Sequence, residues 1–479
     1  MIIKERKLKI GLTNPKDVFS KIYQDYKHKF LLESKDISQI YGRLSLIGVD
    51  PVLKIIGKNN NFSIEAINKR GGRYLKELSK TSSSIKGTIK RESTEVEESR
   101  RSKQKNISQI IRHILETFKT KERTLLGLYG AFSYDFIRLF EDIGDSLPEN
   151  NVNDFTLFLY DTFIFFDHLK NNSEIILYRE KEKEAEESFK KIQTKLHKSE
   201  KNPTYKIKNP QFSLNKDQYE NLVKVARKYA KEGELFEVVF SNILKADFEG
   251  DPYGLYLKYR EENPSPYMFF FDFGDEQLVG ASPEMMVRYE NGRVNLRPIS
   301  GTAKRGKNPI EDHENMLKLL TDPKEKAELD MLIDLGRNDL SRVCEPGVKI
   351  DDYRFVEKYS KVMHTVAHLS GKLRKGYTAL DALIACLNAG TLTGAPKVAA
   401  MRVIEKHEKE RRGYYGGAIG YLTFSGEMDT GIIIRTAHIK NDHLRFQVGA
   451  TLLYDSKPKK EYEETINKAQ AFLNTFQND

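Results

Sequence analysis

Past residue 210, strand-like runs follow one another closely in this chain of 479 residues: YMFFFDF (267–273), EQLVGAS (276–282), MMVRYE (285–290) and RVNLRPI (293–299). Amphipathic helical stretches interrupt them around Glu325 to Leu335 and Ala379 to Leu387. Strand signals then return in GAIGYLTFS, GIIIRTAHI and LRFQVGATLLY before a last helix. Neither the strand–helix–strand alternation of a doubly wound sheet nor an internal repeat is visible, so the pattern predicts an α+β fold.

Upstream, short strand signals (FLLES, GRLSLIG, PVLKII) precede a helical pattern, ISQIIRHILETF, and the aromatic runs GLYGAFSYDF and FLYDTFIFFDHL. Residues 83–105 are polar and charged, which predicts a mobile insertion outside the core. A second charged stretch, from Tyr178 to Pro210, reads as an exposed helix followed by a Pro-containing linker. The division expected is an amino-terminal region, 1–210, and a second region, 211–479.

Lys and Arg number 79 against 69 Asp and Glu, a net charge of +10, but both signs are interspersed along the chain. With no RNP-like or helix-turn-helix signature, this argues against nucleic acid and leaves an acidic small substrate. Two cysteines, Cys344 and Cys386, fit neither a disulfide framework nor a metal spacing and suit a reducing compartment. The start, MIIKERKLKIGLTNPKD, has no apolar signal region, and the apolar run TLFLYDTFIFF is too short to span a bilayer and contains Asp161. The expectation is a soluble, cytoplasmic protein with no membrane partner.

Several residue patterns carry chemistry. Glu325 and Glu328 lie three apart in DPKEKAELDMLIDL, as do Glu461 and Glu464 in KPKKEYEETINKAQAFL. Two such helices meeting would offer the oxygen ligands Mg²⁺ takes, although either pair alone reads equally as a solvated acidic face. In NAGTLTGAPKVAAMRVI the spacing of Gly390, Gly394 and Lys397 does not make a phosphate loop; it is a Gly-rich turn into a helix, with Pro396 suited to the first helical position. The turn of NLRPISGTAKRG, at Gly301 and Thr302, is built like an anion holder. Arg435 follows three isoleucines and needs an acidic partner, from the protein or from a substrate carboxylate that matches its two-point fork. His364 in KVMHTVAHLSG reads as either a core or an active-site residue.

Taken in order, GASPEMMVRYENGRVNLRPISGTAKRG, AELDMLIDLGRNDLSRV, VMHTVAH, AGTLTGAPK, RRGYYGGAIGYLTFSGEMDT, IIIRT and YDSKPKKEYEETINKA closely resemble the chorismate-utilising enzymes, and most closely the branch that makes anthranilate. The likeness runs from about Asp217 to the C-terminus, and FLLESKDISQIYGRLSLIG and GLYGAFSYDFIRLFE extend it upstream. It implies a large β-sandwich core with outer helices, Mg²⁺, and a reaction in two halves. Ammonia adds at C2 of chorismate while the C4 hydroxyl leaves; pyruvate is then eliminated.

By the same resemblance, Glu328 and Glu464 are the principal metal ligands, with Glu325 and Glu461 beside them. Chorismate contacts fall on Gly301, Thr302, Tyr415, Arg435, Gly449, Ala450 and Thr451. His364 and Thr391 match polar active-site positions, and Glu284 matches the acid that protonates the departing hydroxyl. A glutamine amidotransferase subunit is implied as the ammonia source. Tryptophan is implied as an inhibitor touching Ser34, Pro266, Tyr267 and Met268. Ser300 stands where aminodeoxychorismate synthases often carry a nucleophilic lysine, and Glu237 stands where isochorismate-forming relatives carry a lysine base. The rival readings are aminodeoxychorismate synthase and aminodeoxyisochorismate synthase. Thr451 and Leu329 depart from the family's usual Gly and His.

Overall fold

A computed structural model describes residues 3–12, 14–35, 44–79, 81–92, 96–200, 203–359 and 361–476. Their strands form two large antiparallel sheets. The first runs in the order Lys4–Lys9, Asn172–Arg179, Thr162–Asp167, Leu44–Val49, Lys29–Glu33, Tyr267–Asp272, Glu276–Ser282, Thr436–Lys440, His443–Leu452, Glu237–Gly250 and Tyr205–Phe212. The second runs from Ile299–Lys304 through Val362–Lys372, Arg293–Leu296, Met285–Glu290, Met428–Ile432, Ala418–Thr423, Gly127–Phe132, Phe155–Tyr160 and Leu53–Lys58 to Asn61–Ala66 and Ser84–Thr88.

The sheets pack face to face. Phe30 and Phe271 of the first share one buried cluster with Tyr129 and Phe158 of the second, and the Phe30 ring stacks between Tyr129 and Phe271 at 4.9 and 5.2 Å. A second cluster lies on the outer face of the first sheet, where Phe446 stacks on Phe472 of the last helix, Pro458–Leu473, at 4.0 Å. Helices cover the sheets, as the α+β β-sandwich reading expects.

Two expectations are corrected. Residue 210 does not separate two cores: both sheets take strands from either side of it, and Tyr205–Phe212, which reads as a linker because most of its side chains face solvent, is an edge strand paired to Glu237–Gly250. The segment 83–105 is not a loose insertion. Ser84–Thr88 pairs with Asn61–Ala66, and the buried Ser102 donates to Asp381 at 2.8 Å while Arg101 pairs with Glu141 at 2.6 Å. Residues 93–95 of that segment lie outside the described ones.

The fold brings two acid-bearing helices to one place. Pro323–Ser341 lies against Ile299–Lys304 and Val362–Lys372 of the second sheet, and Pro458–Leu473 lies against His443–Leu452 of the first. Both start with Pro in the first turn. Asp322 caps the former through the N–H groups of Lys324 and Glu325, which fixes the phase of the glutamates that follow.

Candidate active site

On these helices Glu325, Glu328 and Glu461 are all pushed above the ordinary glutamate range, first by burial. The negative charge of Glu464 contributes to each of the three shifts, so carboxylates from both helices share one field. Two lysines partly neutralise them: Lys468 contacts Glu464 at 2.8 Å and Lys324 lies 3.7 Å from Glu328. Glu325 Oε2 is buried with no hydrogen-bond partner among the described residues. Among the described residues, no three acidic, His or Cys side chains already stand in a closed metal-binding group. The donors nevertheless fit a hard divalent cation: they are all oxygens, they repel one another, and one buried oxygen is unmatched.

Glycine is required where the anion-holding turn meets this cluster. In Ile299–Lys304 the pairing with Val362–Lys372 slips between Ser300 and Thr302, and Gly301 at the slip has φ +67°. A Cβ there would lie 2.7 Å from Glu325 Oε2 and 2.9 Å from Leu319 Cδ1. Thr302 stands opposite His364, whose Nδ1 lies 3.0 Å from both the Gly301 carbonyl oxygen and Thr302 Oγ1. A carbonyl only accepts, so Nδ1 carries the proton and Nε2 keeps its lone pair. Burial holds His364 below its usual range, with the nearby positive charge of Arg435 contributing, and keeps it neutral.

Arg435 has a left-handed backbone, φ +50°, at the turn between Met428–Ile432 and Thr436–Lys440. It is partly buried, and its charge is felt by His364, Tyr415 and Tyr259, but no ion pair joins it to a described carboxylate. Strand Met428–Ile432 belongs to the second sheet and Thr436–Lys440 to the first, so Arg435 sits where the chain crosses between layers. Tyr415 is buried, and a Cβ on Gly449 would lie 2.8 Å from its hydroxyl. Ala450 and Thr451 continue the strand opposite Phe240 and Val239. A cavity of about 270 Å³ is lined by Tyr415, Ile433 and Thr436 together with Val152, Arg412 and His438; Arg435 is not among its lining residues.

Glu284 is the buried acid. Its carboxyl receives hydrogen bonds from Thr391 Oγ1 at 3.0 and 3.1 Å, and burial pushes it up to about 8, against smaller opposing effects of Thr391 and Lys468. A small cavity of about 50 Å³ opens onto Glu284 and Thr391. The turn carrying Thr391 is clamped: Arg412, itself buried, donates to the Leu392 carbonyl at 2.5 Å and to the Val239 carbonyl at 2.6 Å while pairing with Glu408.

Lys397 is not an anion ligand. Its ammonium is buried, 2.5 Å from Asp339 of Pro323–Ser341, and Pro396 stands just before the first helical residue rather than at it. Lys397→Met should therefore destabilise the chain by about 3–5 kcal/mol, because it strands Asp339 as an unpaired buried charge. Urea unfolding measures this, and a loss below about 1 kcal/mol would show that the pair is not structural.

The sequence reading thus places Glu325, Glu328, Glu461, Glu464, Glu284, Thr391, His364, Arg435, Tyr415 and the 301–302 and 449–451 segments around one region. It treated Glu237 only as a missing lysine. Glu237 is 3% exposed, its Oε1 has no hydrogen-bond partner among the described residues, and it senses Glu328. Leu329, a departure from the His that the resemblance leads one to expect, is fully buried core. At the amino-terminal stretch, Glu33 pairs with Met268, Lys35 N–H donates to the Ser265 carbonyl at 3.1 Å, and Ser34 Oγ is buried with no partner among the described residues. Tyr267 donates to Asp429 at 2.9 Å.

The β-sandwich thus carries clustered carboxylates, an arginine with no ion pair to a described carboxylate, and a buried acid pushed up to about 8. The chain belongs to the chorismate binding enzyme family, whose pattern it matches over residues 78–474, and it is an enzyme acting on chorismate. Among its relatives, anthranilate synthase component 1 of Acetivibrio thermocellus is 36% identical over 94% of this chain and 90% of its own length. The same component of Aquifex aeolicus is 40% identical over 73% of this chain and 74% of its own length. The crystal structure of anthranilate synthase component I from Streptococcus pneumoniae superposes with a TM-score of 0.73 at 34% identity, covering 91% of this chain and 93% of that one. The menaquinone-specific isochorismate synthase of Escherichia coli shares the fold, with a TM-score of 0.73 at 17% identity.

Proposed function

We propose that this chain is the chorismate-converting component of an anthranilate synthase, forming anthranilate and pyruvate from chorismate and ammonia. The observation that carries this reading is Glu284, a buried carboxyl that accepts a hydrogen bond from Thr391 and is pushed up to about 8 by burial. Hydroxide is a poor leaving group, so a positioned proton donor is the first requirement.

Arg435 receives one substrate carboxylate through its fork, with Tyr415 and Gly449 forming the wall beside it. Glu328 and Glu464 would hold Mg²⁺, with Glu325 and Glu461 beside them. When bound, the ion neutralises the other carboxylate. Glu284 gives its proton to the C4 hydroxyl, which departs as water while nitrogen bonds to C2. His364, through its free Nε2, then takes the C2 proton as the ether bond breaks, pyruvate leaves and the ring becomes aromatic. Ser300 is buried and carries no amine, so ammonia attacks the ring directly rather than displacing a lysine adduct.

The test is product identity. The pure chain with chorismate, Mg²⁺ and ammonium should give anthranilate and pyruvate in equal amounts; an amino-dienyl product without pyruvate would overturn the assignment. Chelating the metal with EDTA should abolish turnover and added Mg²⁺ should restore it; a rate indifferent to EDTA would remove the metal from the account. Ammonia would come from a separate glutamine amidotransferase subunit, since buried Cys344 and Cys386 are not available as nucleophiles.

Tryptophan would act as the feedback inhibitor at Ser34, Pro266, Tyr267 and Met268. The Tyr267 ring sits within 2.9 Å of a Cβ placed on Gly431, and the next residue, Ile432, donates its N–H to the Glu284 carbonyl at 3.0 Å. An effector that moves Tyr267 thus presses on the strand that positions the acid. Millimolar tryptophan should suppress the ammonia-dependent rate, and Ser34→Leu should raise the required concentration at least about tenfold. A rate unchanged by tryptophan in the unaltered chain would contradict this.

A further inference from the structure

A protonated acid donates efficiently only if its carboxyl is held toward the bond that breaks, and the residue that holds Glu284 is Thr391. We propose that Arg412 is the positioning residue behind that contact: its guanidinium fixes the turn carrying Thr391 against the strand Glu237–Gly250, so that the Thr391 hydroxyl stays on Glu284. The proposal rests on the anthranilate synthase reading above.

The turn is Gly390–Thr393, and it runs straight into a short pairing with the strand, Gly394 opposite Val238 and Ala395 opposite Glu237. Leu392 N–H and Thr393 Oγ1 donate to the Ala389 carbonyl at 3.0 and 2.9 Å, bonds that give the turn its shape but not its place. Beyond the pairing, the carbonyls of Leu392 and Val239 are both acceptors and cannot bond each other. Arg412 supplies the donors: Nη1 reaches the Leu392 oxygen at 2.5 Å and Nη2 the Val239 oxygen at 2.6 Å. One guanidinium thus replaces a rung of the ladder, a single residue away from Thr391.

The guanidinium is fixed in turn. It donates to Glu408 twice, from Nε at 3.0 Å and from Nη2 at 2.7 Å. Glu408 also accepts from the N–H and Oγ of Ser241, at 2.9 and 2.7 Å, so the pair is tied to the strand that carries Val239. The rings of Tyr134 and Tyr415 lie 4.9 and 5.5 Å from its central carbon. Stability alone does not account for such a pair. The two side chains are 1% and 5% exposed, and burying two charges roughly cancels their attraction, so apolar residues of like volume would serve the fold as well. Apolar residues cannot hold two carbonyls at a set separation; the rigid fork of arginine does, and the point charge of lysine does not.

The experiment compares the unaltered chain with Arg412→Lys, Thr391→Val and the double variant, using chorismate, Mg²⁺ and ammonium. Arg412→Lys keeps a charge for Glu408 but cannot span both carbonyls. It should lower kcat at least about tenfold, with KM for chorismate changed less than about threefold. Thr391→Val removes the hydroxyl directly and should do the same. Because both changes act through one hydroxyl, the double variant should fall no more than about threefold below the slower single variant. Should Arg412→Lys not fold, Arg412→Gln combined with Glu408→Gln strands no charge and takes its place in the same comparison. A kcat within about twofold of the unaltered chain, or losses that multiply in the double variant, would overturn the proposal. So would a loss confined to KM and melting temperature, which marks a purely structural residue. If the unaltered chain itself makes no anthranilate, it is the functional reading that fails, a distinct result.

Discussion

Glu284→Gln should cut kcat for anthranilate formation by about 10²–10⁴-fold while leaving the fold intact. The amide matches the neutral acid in shape and still accepts the Thr391 hydroxyl, but it has no proton to give. The pH dependence follows the same group. Its folded carboxyl sits at about 8, above its unfolded value of 4.5, so the folded chain binds more protons than the unfolded one between those limits. Its contribution to stability is complete below the unfolded value and is lost as pH rises toward 8. The variant should lose that decline, which unfolding midpoints measured from pH 5 to 8 will show. The rate at fixed free ammonia should fall above about pH 8 in the unaltered chain as the acid ionises. A variant with near-normal kcat would remove Glu284 from the chemistry.

Arg435→Gly should lower kcat/KM for chorismate by about 2–5 kcal/mol, roughly 30- to 5000-fold, while folding stability stays within about 1 kcal/mol. The two readouts separate because Arg435 spends its conformation on the ligand. Its φ of +50° favours glycine, and it has no ion pair with a described carboxylate to lose. A stability loss as large as the activity loss would mean that the arginine holds the fold instead of the substrate. Equilibrium unfolding alongside steady-state kinetics gives both numbers.

What the sequence made legible was local. The helix Pro323–Ser341 announces itself by its Asp322 cap, Pro323 and the spacing of Glu325 and Glu328. The Gly301–Thr302 turn was readable because a slip in strand pairing needs glycine. What was hidden depends on residues far apart. Ser102 lies in a run of charges yet is buried by Asp381, 279 positions away, so composition read the segment as solvated. Tyr205–Phe212 read as a linker because an edge strand facing solvent carries a linker's composition. Lys397 was judged against the spacing of a phosphate loop, while its partner Asp339 lies on another helix. Glu237 was seen only for the amine it lacks; that its oxygen would be buried and unmatched follows from how its strand pairs with Ala395.

A chorismate-analogue complex grown with Mn²⁺ in place of magnesium, read by anomalous scattering, probes the site most directly. One strong peak is predicted, bonded by carboxylate oxygens from both Glu328 and Glu464, with the analogue's second carboxylate on Arg435. Density bound to one helix alone, or an analogue lodged away from Glu284, would contradict the convergence on which every step depends.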